Sequence, residues 1–287
     1  MPDSEQNSVQ KPAPPQALAL LRSSHPGPSI AVTIITVGLG FGVGLDALRL
    51  VLLGLAMLAG QFSVGLSNDW IDADRDRAVG RTDKPIPRGW IRASTVRNAA
   101  WVCVVLMLIF GIWLGWAALV VLVVAIGLAW AYNLGLKKSA FSIVPYVLSF
   151  GSLPAIATLA RVHPAAPALW ALGVGGLLGA AGHFANTLPD LEDDRATGVR
   201  GLPHRLGRRA SSVITYVVLL GASVLEIFGA GGFGFPPADI GLGITVVLAA
   251  IGFAVILRPT RWHFRFIILG ALVDVVVLVF AGSRILG

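Results

Sequence analysis

Apolar stretches of about 20 residues recur from residue 28 onward in this chain, with few charges between them. No other feature limits the fold as strongly, because roughly 20 apolar residues in a helix cross a hydrocarbon layer about 30 Å thick. Nine segments meet that description: 28–45, 49–70, 95–113, 115–133, 140–160, 166–188, 211–230, 240–257 and 263–283. Of the 287 residues, 55% are hydrophobic and only 13% are charged, against about 25% charged in a soluble domain. So few charges cannot cover a water-soluble globule of this length. The same composition excludes disorder, coiled coil and collagen. Segments of about ten residues with alternating polarity, the mark of a membrane β-barrel, are absent. One cysteine, Cys103, leaves no intrachain disulfide and no cysteine-based zinc site. The expected fold class is all-α: an integral membrane bundle of about nine transmembrane helices, forming a single membrane domain over 17–287.

Residues 1–16 are polar and proline-rich, with no basic n-region and no directly following apolar region. They are expected to form a disordered tail rather than a secretory signal. Lysine and arginine set the orientation. With the N-terminus inside, only Arg49, Arg161 and Arg284 of the 22 basic residues fall outside. The N-terminus is therefore expected in the cytoplasm and the C-terminus outside. The net charge of +7 then reflects topology, and no soluble basic domain exists to bind nucleic acid. The lipid bilayer is the expected surrounding, as a multi-pass protein of a bacterial plasma membrane.

The acids are unevenly placed. Nine of the 15 lie in two windows, at 69–83 and 190–194. The first window reads Asn68-x-x-x-Asp72-x-x-x-Asp76-Arg77-Ala78-x-Gly80, the second Asn186-x-x-x-Asp190-x-x-x-Asp194-Arg195-Ala196-x-Gly198. The offset is 118 residues throughout, which implies an internal pseudo-repeat with two copies facing one another. Residues i, i+4 and i+8 share one side of a helix. Each window thus presents an amide and two carboxylates as a column, with Asp69 beside the first. A single D-x-x-x-D at a helix end is ordinarily a solvated cap, but its repetition with a basic partner argues against that. Two such columns invite a cation, and Mg²⁺ suits them, because it takes oxygen ligands and usually binds through a few carboxylates plus substrate phosphates. The surrounding arginines and lysines make sense if a diphosphate bridges metal to guanidinium.

With these two motifs the chain resembles the UbiA-type superfamily of intramembrane prenyltransferases. That family carries an N-D-x-x-D-x-x-x-D motif and a D-x-x-x-D motif, here Asn68-Asp69-x-x-Asp72-x-x-x-Asp76 and Asp190-x-x-x-Asp194. The resemblance implies a helical bundle around a central cavity open to lipid. It also implies two Mg²⁺ ions on the diphosphate of a polyprenyl donor, and transfer of the prenyl group to an acceptor, commonly an aromatic quinone precursor. It extends to Lys84, Arg88, Tyr132, Lys137 and Lys138, and to Arg22 in Arg22-x-x-His25-Pro26.

The chemistry so implied is ionisation of an allylic C–O bond. Asp72, Asp76, Asp190 and Asp194 would hold the metals, with Asn68 and Asn186 as further ligands or orienting groups. Lys84, Arg88, Lys137, Arg205 and Arg22 are the candidates for the donor diphosphate. Tyr132 would guide the allylic cation with its ring face, an interfacial anchor being the alternative. Glu226 and Asp274 stand inside apolar spans, where an acid is a functional candidate by default; hydrogen-bonded packing is the competing reading. Gln61, seven residues before Asn68 on the same helical face, is a candidate to point into the cavity; His183 is a candidate acceptor-site residue, a histidine satisfied within the bundle being the competing reading; and Trp262-His263 is expected to anchor the last span at the interface. Two rivals share these features: a terpene cyclase using the prenyl diphosphate alone, and a non-catalytic lipid transporter or binding protein. Transporter sites lie near the midplane, whereas these acids lie near the membrane surface.

Overall fold

The computed structural model of the chain describes residues 13–189, 191, 194, 198–255 and 261–287. The first twelve residues of the expected tail lie outside that set. Among the described residues the fold is helical, with one isolated bridge between Pro167 and Leu286. A short helix α1 (Gln16–Ser23) turns at His25 into α2 (Pro26–Gly42). There follow α3 (Ala47–Ile71), α4 (Ala73–Ala78), α5 (Ala93–Ile112) and α6 (Trp116–Leu134). Then come α7 (Val144–Gly151), α8 (Leu153–Leu159), α9 (Leu169–Thr187), α10 (Leu202–Gly229), α11 (Pro236–Val255) and α12 (Arg261–Ala281).

Six helices among the described residues are long and apolar enough to cross a membrane: α3, α5, α6, α10, α11 and α12. The other expected spans correspond to α2, α9 and the α7–α8 pair, of which α2 and α7–α8 are shorter. The bundle turns large apolar side chains outward, including Val102, Val105, Ile109 and Ile112 on α5 and Trp116 on α6. Such a surface suits hydrocarbon and not water. The chain is a multi-pass membrane protein.

Two expected spans are corrected by backbone chemistry. The segment 140–160 is two helices, because Pro154 lacks the N–H that would continue the ladder across Ser152–Leu153. The helix expected from 211 begins at Leu202 and kinks at Gly207, whose φ of 82° is outside the helical region. The basic stretch after the second motif is therefore part of α10. The tight turn expected at Gly115-Trp116 is present, with α5 ending at Ile112 and α6 starting at Trp116.

Glycines set how closely the helices approach. A Cβ on Gly42 would meet the Val279 carbonyl oxygen of α12 at 2.6 Å, and one on Gly40 would meet Leu53 of α3 at 2.9 Å. The alternating glycines of the first span thus pack α2 between two neighbours. Gly65 of α3 lies against the backbone of Ser24, just before His25. A Gly65→Ala change should force that junction away and lower stability by about 1–3 kcal/mol. Gly127→Ala, in the interior of α6 with open space around it, should raise the melting temperature slightly, adding about 0.4–1 kcal/mol of stability. Thermal unfolding of the two variants in detergent checks both.

Candidate active site

The first motif straddles a break. Helix α3 ends at Ile71 and α4 starts at Ala73, yet the ladder continues across the break, from Asp72 N to Asn68 O (3.0 Å) and from Asp76 N to Asp72 O (2.8 Å). Asn68, Asp72 and Asp76 therefore keep the expected i, i+4, i+8 column. Asp69, Asp72 and Asp76 are buried, and buried charges need partners. They find them on four other parts of the chain. Lys137, in the turn after α6, places Nζ 2.6 Å from both oxygens of Asp72. Lys84, in the loop after α4, lies 3.0 Å from Asp69 Oδ1 and 2.9 Å from Asp76 Oδ2, and donates to Asn68 Oδ1 at 3.2 Å. Arg75 Nη2 is 3.2 Å from Asp72 Oδ2 and 3.5 Å from Asp76 Oδ1. His25 Nε2 is 2.8 Å from Asp69 Oδ1. Asn133 locks the column from α6. It donates to Val64 O at 3.0 Å and to Ser67 Oγ at 2.8 Å, and accepts from Asn68 Nδ2 at 3.3 Å.

The two lysines respond differently to burial. Burial pulls the Lys84 ammonium down, but Asp69 and Asp76 together outweigh it, and the net shift is above the ordinary lysine value. Burial also pulls Lys137 down, and there Asp72 does not make up the difference, so its value is lowered. Lys137 is thus the more readily neutralised of the two.

Two cavities meet at this column. The polar one, about 310 Å³, is lined by Asp72, Arg75, Lys84, Lys137, His183, Asp194 and His204, among others. The apolar one, about 270 Å³, runs into the bundle past Val32, Met57, Gln61, Ile126, Phe150 and Leu153. His25, Asn68, Tyr132, Tyr146 and Asn186 line both. At the junction the Tyr132 and Tyr146 rings meet edge to face with centroids 5.3 Å apart, and His183 lies 4.9 Å from Tyr146. Ser142 Oγ is 3.0 Å from His183 Nε2 and accepts from Leu202 N at 2.8 Å, which ties α10 to the site.

The structure brings together Asn68, Asp72, Asp76, Lys84, Tyr132, Lys137, Asn186 and Asp194. Asp76 reaches the polar cavity through Lys84 and Arg75 rather than as a lining residue. Asp190 lies outside the described residues. Asp194 is 3.4 Å from His204 Nε2. Three other expected residues stand apart from both linings: Arg88, whose guanidinium carbon is 4.1 Å from the Trp90 ring centroid; Arg22, 5.6 Å from the same ring; and exposed Arg205, which donates to Arg200 O at 3.0 Å. His25, Asp69, Arg75 and Asn133 were not among the residues expected to act. The Asp69 of the N-D-x-x-D run and the His25 of Arg22-x-x-His25-Pro26 were the available signals, and Asn133 carries none in sequence.

Carboxylate and amide oxygens are the donors that Mg²⁺ takes, and Asp69 Oδ2 is buried without a hydrogen-bond partner. Among the described residues no three Asp, Glu, His or Cys side chains form a ready ligand cluster. Mg²⁺ commonly completes its shell with water and substrate phosphate, so the residues present fit the metal when a phosphate-bearing substrate accompanies it. Without such a partner the lysines do the neutralising. Lys84→Met should then cost about 3–5 kcal/mol, since it strands Asp69 and Asp76. Because the folded-state value of Lys84 lies above the ordinary 10.5, its contribution is complete below about pH 10.5 and is lost as pH rises through the folded-state value. Melting curves of wild type and variant in chelator should keep their separation from pH 7 to about pH 10.5 and draw together only above it.

Residues 29–272 match the model of the UbiA prenyltransferase family. The bacteriochlorophyll synthase 33 kDa chain of Cereibacter sphaeroides is 34% identical over 202 residues, covering 67% of this chain and 66% of that protein. Digeranylgeranylglyceryl phosphate synthase of Pyrococcus horikoshii is 27% identical over 232 residues, covering 74% of this chain and 76% of that protein. Among solved structures, a UbiA homolog from Archaeoglobus fulgidus bound to DMAPP and Mg²⁺ superposes with a TM-score of 0.74 at 14% identity, over 93% of this chain and 99% of that one. The fold of this bundle, its repeated aspartate motif and the family match agree: the chain belongs to the UbiA prenyltransferase family.

Proposed function

We propose that this protein is a Mg²⁺-dependent transferase that moves an isoprenoid chain from a prenyl diphosphate to an aromatic, quinone-type acceptor. The observation that carries the reading is the junction of the two cavities. A carboxylate- and lysine-lined cavity opens into an apolar one through Asn68, Tyr132, Tyr146 and Asn186. A diphosphate suits the first and an isoprenoid tail the second, which sets the scissile allylic bond beside the tyrosines. The names of the relatives support the donor, since a family member from Archaeoglobus fulgidus is described bound to GPP and Mg²⁺. The aromatic acceptor is read from the Tyr132, Tyr146, His183 and Phe150 rings.

In this mechanism Asp72, Asp76, Asp190 and Asp194 would hold Mg²⁺, with Asn68 and Asn186 as additional oxygen donors. When bound, the metal stabilises the negative charge that gathers on the leaving diphosphate. Lys84 and Lys137 exchange their carboxylate partners for diphosphate oxygens, adding charge that counts more in the transition state than in the ground state. The apolar cavity keeps water from the allylic cation, and the face of Tyr132 steadies that cation. Arg88, Arg22 and Arg205, which lie outside both cavity linings, receive the diphosphate on its approach from the cytoplasm. The positive-inside bias supports a cytoplasmic N-terminus and active-site loops and an external C-terminus.

Charge balance makes a further demand. Asp72 is already neutralised by Lys137 and Arg75, so metal and diphosphate should bind together and each only weakly alone. Purified protein in lipid, supplied with labelled prenyl diphosphate, Mg²⁺ and a panel of aromatic acceptors, should form a prenylated product. Asp72→Asn should reduce the rate by about 100-fold or more, and so should Lys137→Met, whereas Tyr132→Phe should retain most of it. Hydrocarbon release without acceptor would point to cyclisation instead. Prenylation of only non-aromatic acceptors would overturn the aromatic reading.

A further inference from the structure

At the other end of α10 stands a second polar cluster that neither cavity includes. Its N-terminal turn, with His204, lines the polar cavity. Glu226 lies 19 residues beyond the Gly207 kink of α10, or about 28 Å along the helix at 1.5 Å per residue. Ser223 of α10 donates to Asp274 Oδ1 of α12 at 2.6 Å, and Thr245 of α11 reaches the same oxygen at 3.3 Å. Glu226 is one turn beyond Ser223 on the same helical face, within electrostatic range of Asp274. Three helices thus converge on four oxygen-bearing side chains.

The cluster is closed and apolar around its rim. Glu226 is 1% exposed and Asp274 0%. Ile227, Ala238 and Val277 pack beside it with Phe235 and Leu242. A Cβ on Gly241 would meet Val277 at 2.6 Å, so α11 and α12 approach too closely there for long side chains between them. Yet Glu226 Oε1 and Asp274 Oδ2 have no hydrogen-bond partner among the described residues. No lysine or arginine among the described residues hydrogen-bonds to either oxygen. Arg284, near this end of the bundle, donates to Ala230 O at 2.9 Å and lies over Phe235. Asp239, on the first turn of α11, accepts from Gly234 N at 2.9 Å.

Two hydroxyls converging on one oxygen, one at 2.6 Å, are what an ionised carboxylate attracts. An ionised carboxylate in hydrocarbon is strongly unfavourable without a counter-charge, and the two unpartnered oxygens leave a position for one. We propose that Glu226, Asp274, Ser223 and Thr245 form a sodium-binding site that ties α10, α11 and α12 together. The donors are all oxygen, which suits a hard cation. Mg²⁺ gives up its water reluctantly, and Ca²⁺ takes six to eight oxygen ligands, which these four side chains reach only if every carboxyl and hydroxyl oxygen binds at once. Sodium neutralises one carboxylate, and the other carboxyl stays protonated, so the cluster carries no net charge. This site is independent of the prenyl-transfer reading.

The test is thermal unfolding of the whole protein in detergent at pH 7.5, in choline, potassium or sodium chloride at equal ionic strength. Sodium should raise the wild-type melting temperature by several degrees over choline. Asp274→Asn and Glu226→Gln should lose that difference, while Asp72→Asn should keep it. Binding of ²²Na⁺ to wild type, saturating near one ion per chain, supplies a readout if a variant fails to fold. A wild-type melting temperature that is the same in choline and sodium, or ²²Na⁺ uptake that does not saturate, would overturn the proposal. So would a sodium effect that survives in both cluster variants. Stability that depends on pH but not on sodium would show instead that protons alone neutralise the pair.

Discussion

Three carboxylates buried where α3 passes into α4 are the constraint on which the rest of this structure depends. Asp69, Asp72 and Asp76 stand within eight residues of one another, and none could stay ionised there without nearby positive charge. The compensation comes from the α1–α2 junction, α4, the loop after it and the turn after α6. Satisfying one short motif therefore fixes how four separate parts of the chain meet. That is why the two cavities are where they are: the polar one is the space these ion pairs enclose, and the apolar one continues beneath it.

The arrangement is already neutral without metal or substrate, and that bears on how such a site would select its ligands. A cation alone would have to displace ammonium groups held at 2.6–3.0 Å, and an anion alone would meet carboxylates. A metal–diphosphate pair brings both signs at once and can trade partners with the existing ion pairs. Burial sharpens the effect, since the same charges interact more strongly away from water. Beside this, the Tyr132–Tyr146–His183 group offers ring faces and edges but few charges, an environment suited to a cation short of electrons.

Much of the fold was legible in the sequence, because hydrocarbon demands long apolar helices and those have a plain signature. The places where expectation and structure part have local backbone causes, at Pro154 between α7 and α8 and at Gly207 within α10. The site was legible in part. The column of Asn68, Asp72 and Asp76 follows from helical spacing and survives a break at Asp72. Lys84 and Lys137 were also expected near it. Arg22, Arg88 and Arg205 have the same sign of charge, yet they face Trp90 or solvent. The positive-inside rule enriches arginine on that side whether or not it touches a substrate, so sign and proximity in sequence do not separate the two.

The sequence by itself determined that the chain lives in a bilayer and that its acids gather in two related motifs. Each of these is a matter of hydropathy or of short-range spacing along one helix. Only the tertiary structure decided that His25 and Lys84 share Asp69, that Asn133 braces Asn68 from α6, and that Glu226 and Asp274 belong to one cluster. Those pairings join residues 44, 15, 65 and 48 positions apart. Nothing in hydropathy or helical period relates positions so distant, because their meeting is set by how closely whole helices pack.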